Sequence, residues 1–280
     1  MNVFEQLALG AQCPWRTLRE SFRVALWRPW ARYLLACVVV LLAIGFAPHP
    51  AVSWLMAPLV RWASGDDALR YPELYARLPG LWKWAQLVLD AAVAPFATGV
   101  AALLWSERFR GAPLQAREAR QLMMRHWLAL LLASLPVTLV AVFGHVGLEA
   151  LSRVRLSGLS RALAPQLLTA AVFLVKAAYF YAVPMVMLDP RGSRRALLAL
   201  PRTWAHGLLP ALVASAALAV LALPLQALLA KPAALVAVLP EGVLLVAVAN
   251  AAVRVVQLGL AAGAATLIYM SALVPGEDDL

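Results

Sequence analysis

Apolar residues arrive in long runs along this chain, and polar ones are confined to short windows between them. Six runs suit a membrane-crossing helix: about Tyr33 to Phe46, Ala85 to Trp105, Trp127 to Leu148, Leu163 to Leu188, Leu208 to Leu229 and Val243 to Leu273. A helix needs about 20 mostly apolar residues to cross the hydrocarbon of a bilayer. The first run is short for that and is expected to begin nearer Trp30. The last is long and must tilt, bend near Asn250 or project beyond the bilayer. Pro95 and Gly99 mark kink or packing points in the second run, and Gly259 with Gly263 make a small-residue pair suited to close helix contact.

The windows carry a recurring signal. Before runs one, three and five stands a basic, half-apolar segment that ends in Arg, any residue, Trp: Arg28 and Trp30, Arg125 and Trp127, Arg202 and Trp204. Ahead of the first run, Trp15, Leu18, Phe22, Ala25, Leu26 and Trp30 recur at three- and four-residue steps, with Arg16, Arg19, Glu20 and Arg23 on the other side. That pattern predicts an amphipathic helix in the interface, serving as a lipid anchor or as a dock for a cytoplasmic partner. The threefold recurrence predicts an all-α, six-span helix bundle in one membrane domain, residues 1–280. It divides into three two-helix repeats over approximately 15–105, 112–188 and 191–273, each preceded by a cytoplasmic interfacial helix. In each repeat the Arg is expected to reach lipid phosphates and the Trp to sit at the headgroup boundary. The longest polar window, from Pro48 to Trp84, mixes Trp54, Trp62, Trp82 and Trp84 with Arg61, Arg77 and Lys83. One or two short helices on the outer membrane surface are expected there, with Gly65, Asp66 and Asp67 as a turn.

Composition fixes the solvent. Of 280 residues 63% are hydrophobic and 14% charged, with mean hydropathy +0.79. A soluble domain is roughly half apolar and a quarter charged, so this chain belongs in a bilayer. The net charge of +10 sits at the ends of apolar runs instead of on one solvated face. Anionic lipid headgroups account for it, and nucleic acid is excluded as a partner. Fourteen arginines precede spans one, three and five, against eight Arg and Lys in the opposite windows, which puts both termini in the cytoplasm. Arg153, Arg155 and Arg161 run against that bias. The excess of Arg over Lys and the abundance of Ala and Leu resemble a high-GC bacterium, hence the inner membrane. Cys13 and Cys37 imply neither a disulfide framework nor a metal cluster. The LLAC ending at Cys37 precedes its apolar run, so lipoprotein cleavage there is not expected.

The second helix of each repeat carries one ionisable residue at membrane depth: Asp90, Lys176 and Arg254. Asp90 and Arg254 lie about fifteen residues from their cytoplasmic ends and Lys176 about twelve, roughly 22 and 18 Å at helical rise. A lone charge at that depth costs a few kcal/mol, so the three are expected to turn inward and pair, Asp90 with Arg254 or Lys176, joined by Asn250 and Gln257. The network either fixes how repeats pack or, through its surplus cation, lines a path for a solute. His145 and Glu149, one turn apart, are expected to pair at the membrane edge. Catalytic constellations for intramembrane proteolysis, phosphate-binding glycine loops and dinucleotide fingerprints are missing, so no enzyme and no cofactor or metal are expected.

Two resemblances bear on this. MLDPRGSRRALLALPRTWAHGLL and ERFRGAPLQAREARQLMMRHWLALLL resemble a bacterial family of six-helix membrane proteins. That family includes the membrane domain fused to some glycerophosphodiester phosphodiesterases. The likeness rests on Asp189 at a helix end, Gly192, and an Ala-Leu-rich amphipathic helix ending in Arg-x-Trp. It implies a fold and no activity. SERFRG, Ser106 to Gly111, is similar to the lead into the coupling helix of exporter permeases of the ABC type, although GAPLQ replaces that family's continuation. The expected function is a non-enzymatic inner-membrane accessory or assembly component that binds lipid or a membrane-protein partner. The alternative is a permease subunit working through Asp90, Lys176 and Arg254.

Overall fold

The computed structural model describes residues 2–112, 116–153, 158–189 and 192–273. Arg155, the side chains of Arg153 and Arg161, Pro190 and the acidic tail 276–280 lie outside the described residues. Every long regular element among those described is a helix. In chain order these are α1 (Val3–Glu20), α2 (Val24–Gly45), α3 (Pro50–Ser64), α4 (Glu73–Ala92), α5 (Ala94–Phe109), α6 (Ala116–Arg125) and α7 (Trp127–Arg153). There follow α8 (Gly158–Ala178), α9 (Ala182–Leu188), α10 (Ser193–Ala219), α11 (Leu223–Leu229), α12 (Pro232–Val238) and α13 (Gly242–Ile268). Five stretches are long and apolar enough to cross a membrane: Val24–Gly45, Trp127–Leu151, Leu163–Leu188, Arg195–Leu229 and Gly242–Ser271. The number reaches six if α4 and α5, bent by 50° at their junction, count as one span. The chain is a polytopic helical membrane protein.

Several boundaries differ from those expected, each for a local reason. The amphipathic stretch Trp15–Trp30 is two helices. The Ser21 hydroxyl and backbone N–H both bond the Leu18 carbonyl, and the Trp27 indole N–H takes the Ser21 carbonyl at 2.8 Å. These bonds end α1 and reset the helical phase. Trp15 and Phe22 consequently point outward, whereas Leu26 and Trp30 are buried. The span predicted from Leu208 starts earlier, because α10 runs unbroken from Ser193 through Arg202 and Trp204. The second predicted span breaks at Val93, since Pro95 has no N–H and its ring crowds the carbonyl one turn back. The fourth breaks at Tyr179–Tyr181, three residues after Lys176.

The chain divides into two compact units that cut across the repeat stretches. One comprises Met1–Pro29, Ala91–Leu218 and the chain from Gly259; the other comprises Trp30–Asp90 and Ala219–Leu258.

The first unit has a core of Leu130, Tyr181, Met185, Leu200, Ala264 and Ile268, where α5, α7 and α9 meet. Glycines let helices close in. A Cβ on Gly10 of α1 would stand 2.8 Å from the Pro210 carbonyl and Val213 of α10. One on Gly263 would meet the Trp105 ring at 2.8 Å, and one on Gly259 the Trp27 ring. The face α1 buries is thus its small and polar one, Gln6, Gly10, Cys13 and Thr17. Asn2 and Glu5 start that helix with a reciprocal cap.

In the second unit α2 buries a stripe of Trp30, Tyr33, Cys37, Leu41 and Ile44 at 3.6-residue spacing. A Cβ on Gly45 would stand 3.1 Å from Leu244 of α13. A small satellite core of Ala47, Val60, Ala68 and Leu74 binds α3 to the start of α4.

Candidate functional site

Three helices of the second unit each bring one polar side chain to a common point. Tyr33 comes from the buried stripe of α2. Asp90 lies in the last turn of α4, three residues before the proline-imposed break at Val93. Arg254 shares one face of α13 with Asn250 and Gln257, at helical intervals of four and three. The Tyr33 hydroxyl donates to Asp90 Oδ1, and Arg254 Nη2 donates to Asp90 Oδ2 at 2.8 Å. Both carboxylate oxygens therefore have a donor, one neutral and one cationic, and the ensemble carries no net charge.

The electrostatics are demanding. A carboxylate at the C-terminal end of a helix faces the negative pole of the backbone dipoles, and here it also leaves water. Arg254 offsets both penalties and Tyr33 occupies the second oxygen. Asp90 and Arg254 side chains are about a quarter exposed. The Trp30 ring packs edge-on to Tyr33, with centroids 6.2 Å apart, and fixes it from the side.

Of the five network residues expected, the structure brings Asp90 and Arg254 together directly. Asn250 is buried on the same face of α13, its Oδ1 without a hydrogen-bond partner, and Gln257 is half-buried with an interaction of its own. Lys176 belongs to the first unit, on α8, and also has an interaction of its own. Sequence reasoning missed Tyr33. Tyr33 is the one hydroxyl on the apolar stripe from Leu26 to Leu41, a signal that becomes readable only once the rotation of α2 is known.

The Arg-x-Trp motifs are not equivalent. Arg28, Arg125 and Arg202 are all exposed, as an approach to phosphates requires. The tryptophans diverge in exposure. Trp30 is 1% exposed, because it lies on the packed stripe of α2. Trp127 is half exposed at the start of α7. Trp204 is drawn inward, its indole N–H donating at 3.0 Å to the Ala178 carbonyl that the α8–α9 break leaves free. The neighbouring Thr203 hydroxyl donates to the Leu200 carbonyl at 2.7 Å and accepts from the Tyr181 hydroxyl at 3.1 Å, which ties α10 to the residues of the break.

Elsewhere His145 and Glu149 approach to 3.2 Å, and Arg108 of the SERFRG segment pairs with Glu20 at the end of α1. Cys13 and Cys37 are free and buried. Burial pushes the Cys13 thiol up to about 12, against a smaller lowering by Arg16. Among the described residues no three His, Cys, Asp or Glu side chains converge as metal ligands would.

No family model, curated protein or solved structure matches the chain.

Proposed function

We propose that this chain is a non-enzymatic component of a bacterial inner membrane, with six spans in three helix pairs and both termini in the cytoplasm. Its role is that of an accessory or assembly subunit that holds lipid or a membrane-protein partner. The exposed apolar row of α1, Phe4, Leu7, Trp15 and Leu18, flanked by Arg16 and Arg19, supports its reading as an interfacial helix on anionic lipid. The likeness of the Arg-x-Trp segments to the six-helix family that includes phosphodiesterase membrane domains is part of this proposal.

One observation carries it: each oxygen of the Asp90 carboxylate accepts a hydrogen bond from a different helix, one from Tyr33 and one from Arg254. A carboxylate held through each oxygen by donors from two other helices acts as a tie between those helices. Asp90→Asn and Arg254→Gln should each lower thermal stability in detergent, by about 1–3 kcal/mol. The swap Asp90→Arg with Arg254→Asp should recover part of it. Unchanged melting of both single variants would remove the tie.

A second reading has its own observation. Asp90 and Lys176 each stand three residues before a break in a membrane helix, and broken helices with charges beside them line substrate paths in transporters. On that reading the chain is a permease subunit of the ABC-exporter type or another solute carrier. Mild detergent extraction separates the two. An ATPase subunit co-purifying through the 106–126 segment favours the permease, and bound lipid or a non-ATPase partner favours the accessory role.

A further inference from the structure

The helix α3 is fastened to its unit along one edge only. Ala57 and Val60 are buried, while Trp54, Leu55, Leu59 and Trp62 stand on the other side, Trp54 75% and Trp62 89% exposed. At 100° per residue positions 54, 55, 58, 59 and 62 fall in one band, so these side chains form a continuous face. The face is stripped of competing polar groups. The Trp54 indole N–H turns back onto the Ala51 carbonyl at 3.1 Å, and Arg61 is drawn off to Asp66 at 3.3 Å.

What covers this face follows from its neighbour in the same unit. The α2 helix carries an outward apolar row, Leu35, Val39 and Leu42, which a span presents to lipid, and exposed Phe46 follows directly after its end. Only residues 46–49 separate α2 from α3, about 14 Å even if fully extended. They form turns instead, with Ala47 bonded to Ile44 and His49 to Phe46. The chain therefore enters α3 beside the bilayer surface. Fifteen residues make a helix of about 22 Å, too short for the roughly 30 Å of hydrocarbon. Tryptophan, apolar in its body and polar at its N–H, is the residue that collects at the boundary between headgroups and acyl chains.

We infer that α3 lies in the bilayer interface, with Trp54 and Trp62 inserted among the upper acyl chains, and that phospholipid is the partner covering its aromatic face. The inference rests on α2 crossing the membrane and is independent of the role given to Asp90.

The test uses the full chain in vesicles of phosphatidylcholine and phosphatidylglycerol. Single variants Trp62→Cys, Leu59→Cys, Leu42→Cys and Asp66→Cys carry an environment-sensitive fluorophore, and the wild type, whose own cysteines are buried, gives the blank. Labels at 59 and 62 should emit to the blue of that at 66. They should lose about half their emission to chains brominated near the carbonyl end, and resist aqueous iodide that quenches position 66. Either position suffices if the other variant fails to fold. Equal iodide quenching at 59, 62 and 66, with no loss to brominated lipid, would overturn the inference. So would shielding from both quenchers together with crosslinked dimers, which would put a second copy on the face. Position 42 separates the premise from the inference: if it too escapes brominated lipid, α2 is no span and the inference falls with it.

Discussion

Asp90 meets two donors from two different helices, so each can be removed alone. Tyr33→Phe keeps the ring against Trp30 and deletes only the hydroxyl, which leaves one carboxylate oxygen without its donor. We expect a loss of about 1–3 kcal/mol, read as a lower melting temperature in detergent, and no further loss when it is combined with Asp90→Asn. A full additive loss in the double variant would show that the hydroxyl acts elsewhere. Cys13 offers a pH test. Its folded thiol titrates near 12 against 9.0 for an unburied one, so the folded state retains the proton longer. The stability tied to the neutral thiol is therefore complete below about pH 9 and declines as pH rises toward 12. At pH 8 a maleimide should modify Cys13 only after denaturant is added; labelling of the native protein at the rate of a free thiol would contradict this. Asp90 and Arg254 were legible in the sequence because a charge inside an apolar run is conspicuous. Tyr33 was not, because a tyrosine at the start of a run reads as an ordinary interface residue. Only the rotation of α2 reveals that it points inward.

At the scale of elements, close packing turns on a few small residues. Gly263→Ala would drive a methyl into Thr17 and the Trp105 ring, and should cost about 1–3 kcal/mol. Gly80→Ala, on α4 with no atom within 4 Å of the added carbon, should be neutral or gain up to about 1 kcal/mol from helix propensity. Paired melting curves of the two variants check this, and equal shifts would mean that the crowding at Gly263 relaxes freely. The Gly259 and Gly263 pair was readable as a packing device, and it does bring helices close. The α1–α2 break was not readable. Trp15 through Trp30 fits one uninterrupted helical period, and what ends α1 is a set of Ser21 hydrogen bonds completed by an indole six residues on. Periodicity records which residues are apolar, whereas side-chain capping decides where the phase resets. The same limit explains the Trp204 cap, which depends on a carbonyl made available 26 residues earlier in the chain.

For the whole molecule the count of crossings hangs on one junction. The α4 and α5 helices are bent by 50°, and they make either one broken span or a loop that enters and leaves on the same side. A broken span gives six crossings and leaves α6 with Arg117, Arg120 and Arg125 on the side of Arg16, Arg19 and Arg23. A re-entrant loop gives five crossings and puts α6 opposite α1, which would place strongly basic segments on both faces. The positive-inside rule favours the first, since short basic loops stay cytoplasmic. In spheroplasts, a cysteine at Gln121 should be shielded from a membrane-impermeant maleimide until the membrane is permeabilised, while one at Asp66 reacts at once. Tags at both ends of the chain should resist added protease. Immediate labelling at Gln121, together with opposite fates for the two tags, would make α4–α5 re-entrant. Asp90, three residues from the turn of that loop, would then stand near its tip instead of within a crossing helix, and its bonds to Tyr33 and Arg254 would fasten the loop to two spans.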